Sequence, residues 1–332
     1  MEKKGPFNIA QLKALSPGVQ VWGKYLILEK NSRRTKDGRE VINLKVGDDS
    51  GEIDTVVWDS CTVSGTLESG SVIGLLGDLG VYNNRLQVTA KRIKILEEDP
   101  LPYLRRPDVN LEELQKEFRG LLASIADPHM AELLGRIFSP ALQEAFVRAP
   151  AAKRIHHNYS GGLLEHTLSV ARLCDRIAEN YPQLNRDLVI TGALLHDIGK
   201  LNEYEMRTVP RYTTEGRLLG HIILGEELLA RVIREIRDQG QPFPTQLELM
   251  LKHLIISHHG SLEFGSPVIP LFPEAFVLFM MDNLDAKIFV FKNKMEESGS
   301  EDEDFTAYDN FFGQYFYTGR YGSGSKTGKE QE

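Results

Sequence analysis

The hydrophobic period of this chain changes once, and the change divides it. Over residues 19–96 apolar side chains alternate with polar ones in short runs broken by turn signals; beyond residue 110 they recur every three or four residues. A period of two sets one face of a strand against a core, whereas a period near 3.6 does the same for one face of a helix. With 332 residues the chain is long enough to bury both kinds of core. The expected fold class is therefore multidomain, a small all-β barrel followed by an all-α helical bundle. The stretch 97–110, with three prolines and mixed charge, reads as the linker between them.

In the first part VQVWGKYLILEK is rich in β-formers, and NSRRTKDG after it reads as a turn. REVINLKVGDDSGEIDTVVWD gives two strands around the DDSG turn at 48–51. A short helical or irregular piece at 60–67 follows, then SVIGLLGDLGVY, a hairpin turn at Asn83 and Asn84, and RLQVTAKRIKIL. Five strands with an insertion after the third is the layout of an OB-fold barrel, with a small SH3-like barrel as the alternative. Asp49, Gly51, Ile53 and Trp58 form a pattern that resembles the nucleic-acid-binding OB family. Residues 30–39 hold five basic side chains and one acid, among them Lys30, Arg33, Arg34 and Lys36, and Arg85 follows the hairpin. Trp22, Tyr25 and Tyr82 are candidate stacking faces for single-stranded bases, with the barrel core as their alternative place. Trp58 is assigned to the core, and Trp22 is left between the two.

Bulk properties exclude little. The net charge of −8 argues against nucleic acid only superficially, because residues 1–100 carry equal numbers of basic and acidic side chains and the acidic run 296–304 accounts for −6. Such a run is ordinarily a solvated loop. The longest apolar run, seven residues from Ala275, falls far short of the roughly 20 needed to span a bilayer, so no membrane partner is expected. Two distant cysteines, Cys61 and Cys174, give no disulfide framework, and the start of the chain lacks the apolar stretch of a secretory signal; a cytoplasmic location is expected. The last residues, 319–332, are low-complexity and read as a disordered tail.

The helical part carries the chemistry. In ALLHDIGKLNEY an apolar run leads directly into His196 and Asp197. A buried ionised carboxylate costs several kcal/mol unless it is paired or bound to a metal. His166 shares a helix face with Val170, Leu173, Cys174 and Ile177, and Asp282 shares one with Ala275, Leu278, Ala286 and Phe289. A lone core histidine is commonplace; a carboxylate on such a face is harder to dismiss. In order the set runs His166, 29 residues, His196 and Asp197, 23 residues, His221, 36 residues, His258 and His259, 22 residues, Asp282. Five helical segments thus deliver imidazole or carboxylate. Those donors suit Mn, Fe, Co, Ni and Zn, whereas Mg takes oxygen shells. They are too many for one tetrahedral ion and fit two ions sharing a carboxylate.

The pattern H, HD, H, HH, D is similar to that of the two-metal HD-domain phosphohydrolases. With the barrel in front, the chain resembles the YhaM-type 3'-5' exoribonucleases of bacteria over nearly its whole length. HHNYSGGLLEHTLSVARLCD, ALLHDIGKLNEY, LLGHIILG, ISHHG and MDNLDAK carry the likeness. The resemblance implies an HD domain at 111–318 behind an OB domain at 1–96. It implies two divalent transition-metal ions, manganese favoured. His166, His196, Asp197 and Asp282 would hold one ion; Asp197, His221, His258 and His259 the other, with Asp197 bridging and catalytic. Asp285, one turn beyond Asp282, is the alternative ligand. Lys200 would act as a point charge on the phosphate, its alternative being a surface lysine at a helix end. Lys153, Arg154, His157 and Tyr159, before the helix start at Gly161 and Gly162, would hold the substrate phosphate. The partner implied is single-stranded RNA or DNA, the reaction 3'-5' release of nucleoside 5'-monophosphates; homo-oligomerisation is left open. A phosphohydrolase of free nucleotides and a non-enzymatic strand binder are the competing readings.

Overall fold

The computed structural model describes residues 5–34, 38, 40–83, 85–104, 110–149, 161–205, 208–297, 305–306, 308–309 and 312–317, without the side chains of 293, 294, 296 and 297. Lys36, Lys153, Arg154, His157 and Tyr159 lie outside the described residues, as do the tail 319–332 and residues 298–304 of the acidic run.

A short helix, α1 (Ile9–Lys13), precedes five strands: β1 (Gln20–Arg34), β2 (Glu40–Asp48), β3 (Gly51–Ser64), β4 (Val72–Tyr82) and β5 (Arg85–Leu96). They close into a barrel in the order β1-β2-β3-β5-β4, with β1 returning to pair with β4. Every pairing is antiparallel except β3 with β5, as an OB topology requires. Inward residues such as Ile27, Leu44, Val46, Ile73 and Val88 fill the interior. Helix α1 caps it, burying Ile9 and Leu12 in that core, and the Ile9 N–H donates to Asp48 Oδ2 at 2.9 Å. Five residues are too few to show a helical period, so the alternation pattern does not reveal α1.

Two segments differ from the sequence expectation. The turn expected at NSRRTKDG starts later: β1 runs to Arg34, paired in register with β2 through Arg34 and Glu40. The piece expected to be helical or irregular at 60–67 is strand as far as Ser64, because β3 shifts register between Val57 and Thr62 and resumes its parallel pairing with β5. A bulge of this kind interrupts the alternation from which a strand is recognised.

Between barrel and helices, a 3-10 turn at Leu101–Tyr103 packs instead of hanging free. Tyr103 and Leu104 lie against Leu26 and Val72 of the barrel together with Val209 of the helical part. The Tyr103 hydroxyl donates to Glu98 Oε2 at 2.8 Å; burial and that carboxylate push its pKa up to about 12.

The helical domain comprises α2 (Leu111–Ala123), α3 (Pro128–Ile137), α4 (Pro140–Arg148), α5 (Gly162–Asn180), α6 (Arg186–Leu195), α7 (Lys200–Glu203), a small hairpin of β6 (Tyr204–Glu205) and β7 (Arg211–Tyr212), α8 (Thr214–Asp238), α9 (Thr245–Ser257) and α10 (Pro273–Glu297). Their apolar faces meet in one core. Helix α6 is buried on every side from Leu188 to Leu195, so it shows little amphipathic contrast and threads the centre of the bundle. No described helix is long and apolar enough to cross a membrane.

Candidate metal centre

His196 and Asp197 stand where buried α6 ends. His196 caps it, and its Nδ1 donates back to Ala193 O at 2.8 Å. The chain then turns sharply through Ile198 and Gly199 into α7. The turn is possible because Gly199 has no side chain: a Cβ there would stand 1.9 Å from the His221 carbonyl oxygen and 2.5 Å from the Gly225 nitrogen. The HDIG turn is thereby pressed onto α8 at His221. Helix α8 is itself broken just before that residue, at Gly220 (φ 74°, ψ 162°), a backbone conformation that favours glycine. The break frees the His221 N–H, which donates to Glu203 Oε1 at 3.2 Å; the His221 Nδ1 lies 3.4 Å from the same oxygen. Glu203 thus serves the second segment of α8 as a cap, and the α8 histidine keeps its carboxylate below the usual range despite burial.

The other donors are placed alike. His258 caps α9 with Nδ1 on Ile255 O at 2.6 Å, and the next residue, His259, puts Nδ1 on Phe264 O at 2.9 Å. His166, buried on α5, meets two carboxylates of α10 on opposite ring nitrogens: Asp285 Oδ2 at 2.7 Å from Nδ1 and Asp282 Oδ1 at 3.1 Å from Nε2. Ser169 Oγ donates to the other oxygen of Asp285. In all five histidines Nδ1 faces an acceptor, which leaves Nε2 as the nitrogen for the centre. A fixed Nδ1 partner sets the tautomer and ring plane, as in metal-ligating histidines.

Asp197, 3% exposed, lies between two groups. Its Oδ2 is 3.7 Å from His166 Nε2 and 3.4 Å from His196 Nε2; its Oδ1 is 3.4 Å from His221 Nε2 and 3.8 Å from His258 Nε2. Ligand atoms of His166, His196 and Asp197 cluster within 4.8 Å, as do those of His221, His258 and His259. Asp197 Oδ1, His221 Nε2 and His258 Nε2 are all buried without a hydrogen-bond partner. Three orphaned polar atoms that converge at this spacing are costly, and a shared cation satisfies all of them. The residues present therefore fit a divalent metal centre.

The electrostatics agree. Burial opposes charge on Asp197, yet Lys200 and the neighbouring histidines hold its pKa well below the carboxylate range. Asp282 is lowered likewise, chiefly by His166 working against burial. Burial would lower His166, but the hydrogen bonds of Asp282 and Asp285 push it up to about 10. His258 and His259 are lowered by burial and by neighbouring rings, which leaves them neutral donors at pH 7. Lys200 is no surface lysine: it is 8% exposed, with Nζ 2.5 Å from Asp197 Oδ2.

Comparison with known proteins bears on the same residues. The HD-domain family model matches residues 163–287, and that of the OB-fold nucleic acid binding domain matches 28–96. A protein of Shouchella clausii named 3'-5' exoribonuclease YhaM is 32% identical over 300 residues, covering 88% of this chain and 92% of its own. A protein of the same name from Oceanobacillus iheyensis is 31% identical, covering 88% and 93%. This chain belongs to the YhaM family of 3'-5' exoribonucleases. Its HD match encloses all seven of the side chains gathered above that the sequence pattern names.

The barrel is less faithful to the pattern. Tyr25 is no stacking face: it is 1% exposed, and its hydroxyl donates to Phe7 O at 2.7 Å inside the barrel. Trp58, assigned to the core, is instead 39% exposed beside the β3 register shift. Trp22 is half-buried, and its carbonyl accepts from the Phe7 N–H. Tyr82 and Arg85 pair across the β4–β5 turn and are exposed, while Lys30, Arg33 and Arg34 project from the outer stretch of β1. Sequence reasoning missed Glu203, Ser169 and the outer role of Asp285. Glu203 lies six residues beyond Asp197 in the same HD stretch, and only the fold of α7 against α8 shows its use.

Proposed function

We propose that this chain is a metal-dependent 3'-5' exonuclease that takes single-stranded RNA, with single-stranded DNA as a further substrate, to nucleoside 5'-monophosphates. The observation that carries the reading is Asp197, whose two oxygens face two separate groups of histidines. His166, His196, Asp197 and Asp282 would hold one ion; Asp197, His221, His258 and His259 would hold the second. Manganese is favoured from a donor set that also suits Fe, Co, Ni or Zn. Asp282 is preferred to Asp285 because it stands on the Nε2 side of His166, whereas Asp285 orients the ring from Nδ1. When bound, such a pair of ions makes water a strong nucleophile at neutral pH and offsets charge on a phosphodiester.

The chain's own residues do the rest. Asp285 fixes the His166 ring from Nδ1, and Glu203 fixes His221. The Lys200 ammonium lies at Asp197 Oδ2, where its charge favours a non-bridging phosphate oxygen. Lys153, Arg154, His157 and Tyr159, preceding α5, are proposed to hold that phosphate. The name borne by the YhaM relatives supports entry of a 3' end, and the barrel, with Tyr82, Arg85 and the basic stretch of β1, would hold the strand upstream.

A time course on 5'-labelled RNA tests this: a ladder that shortens from the 3' end is expected. An intact strand beside rapid hydrolysis of free nucleotides would replace it with a nucleotide phosphohydrolase. Protein purified without chelator should carry two ions per chain by elemental analysis; none, with no rebinding of Mn or Fe, refutes the centre. Lys200→Ala should lower turnover by roughly a hundredfold with both ions retained. Glu203→Gln should weaken one ion by about 10- to 100-fold and leave the other, read by metal titration.

Loading should also depend on pH with a definite sign. His166, with its pKa pushed up to about 10, is protonated at neutral pH and would give up that proton on becoming a metal ligand. Below that pH, binding releases this proton and the apparent affinity rises with pH, by up to about tenfold per unit. Proton release on adding Mn to chelated protein in weak buffer measures it.

A further inference from the structure

Along β3 the side chains of Ile53, Thr55 and Val57 enter the barrel core, so Asp54 between them faces outward. There it stands beside Gln87 of β5 in the parallel pairing, and the β4–β5 turn brings Tyr82, Asn83 and Arg85 alongside. These five residues line a cavity of about 330 Å³ on the barrel surface. The Asp54 carboxylate accepts no hydrogen bond among the described residues; Lys45, facing it from β2, donates to Glu52 at 2.8 Å and reaches Asp54 only through its charge.

The lining sets one carboxylate against one guanidinium, so it gives a phosphate no net attraction, and its mix of acceptor, donors and an aromatic ring suits a base. A carboxylate only accepts hydrogen bonds, and two parallel ones satisfy both of its oxygens. Among the four RNA bases guanine alone presents two adjacent donors, N1–H and N2–H, on one edge. Cytosine, adenine and uracil set an acceptor beside each donor, which would face the carboxylate with like charge. Arg85 and Gln87 carry the donors that a guanine O6 and N7 accept from. Tyr82, 62% exposed, offers a ring for the base to stack on.

We propose that Asp54, with Tyr82, Arg85 and Gln87, forms a pocket that selects a guanine base of the bound single strand. It rests on strand binding by the barrel and adds a base preference to it. The test is fluorescence anisotropy of the full-length, metal-loaded protein with labelled phosphorothioate oligouridine strands, which resist hydrolysis. Each carries one central guanine, hypoxanthine, adenine or cytosine. The guanine strand should bind about tenfold tighter than oligouridine, and hypoxanthine, which lacks the N2 amine, should lose most of that gain. Asp54→Asn should abolish the preference and leave oligouridine affinity within about twofold. Equal affinity for all strands in the wild type, or a guanine preference that survives Asp54→Asn, overturns the pocket and leaves strand binding standing. Failure to bind any strand overturns both.

Discussion

Asp197→Ala is expected to abolish hydrolysis, with turnover down by roughly a thousandfold or more. The two oxygens of this side chain face different groups, one His166 and His196, the other His221 and His258. On the two-ion reading proposed above, removing it takes a donor from each group at once, so metal content should fall at both. Strand binding by the barrel should stay within about twofold, since no barrel residue touches this site in the described contacts. The substitution also strands the Lys200 ammonium, whose partner at 2.5 Å is Asp197, and an unpaired buried charge is itself destabilising. Asp197→Asn therefore belongs beside it: near-isosteric, it should keep the fold and still lose activity. Near-wild-type cleavage by either variant would show that the carboxylate does not join two ions.

Gly199→Ala is expected to be nearly as damaging by a different route. The added carbon would lie 1.9 Å from the His221 carbonyl, and the atoms in its way are α8 backbone, which has no rotamer to escape into. The α7 turn must then lift off α8, carrying Lys200 and Glu203 away from Asp197 and His221. A cost on the order of 3 kcal/mol follows from overpacking of this kind, equivalent to about 10 °C in melting temperature for the helical domain. Ion binding at the His221 group should weaken further than at the His166 group. A variant that melts with the wild type would mean that the HDIG turn does not rest on α8 in solution.

The barrel and the centre are also joined mechanically. The β6–β7 hairpin follows Glu203 directly, and from it Val209 packs on Leu26 and Val72 while Arg211 Nη2 donates to Ser69 O at 3.1 Å. Deleting the barrel would therefore expose Val209 and Tyr103 and loosen the segment that carries Glu203. Point changes at Tyr82 and Arg85, the residues proposed to hold the strand, are the cleaner test of whether strand holding and cleavage separate.

Much of this molecule was legible in its residues. The change of hydrophobic period gave barrel then bundle, because burial acts on the face that the backbone period selects. The buried histidines and aspartates that the structure gathers were legible because imidazole and carboxylate are seldom carried inside apolar helices unless a partner or an ion satisfies them there. Tertiary structure alone decided the finer points. Asp282 and Asp285 lie three residues apart and share one helix face, so only the path of α5 across α10 puts one on Nε2 and the other on Nδ1 of His166. Tyr25 and Trp58 exchanged their expected places, since the alternation that says in or out is lost at a register shift and any interior hydroxyl needs an acceptor that the local sequence does not name. Glu203 acquired its role from contact with a helix residue eighteen positions away. Periodicity records what each element does to its own side chains; which elements meet, and at what register, is fixed by packing between segments distant in sequence.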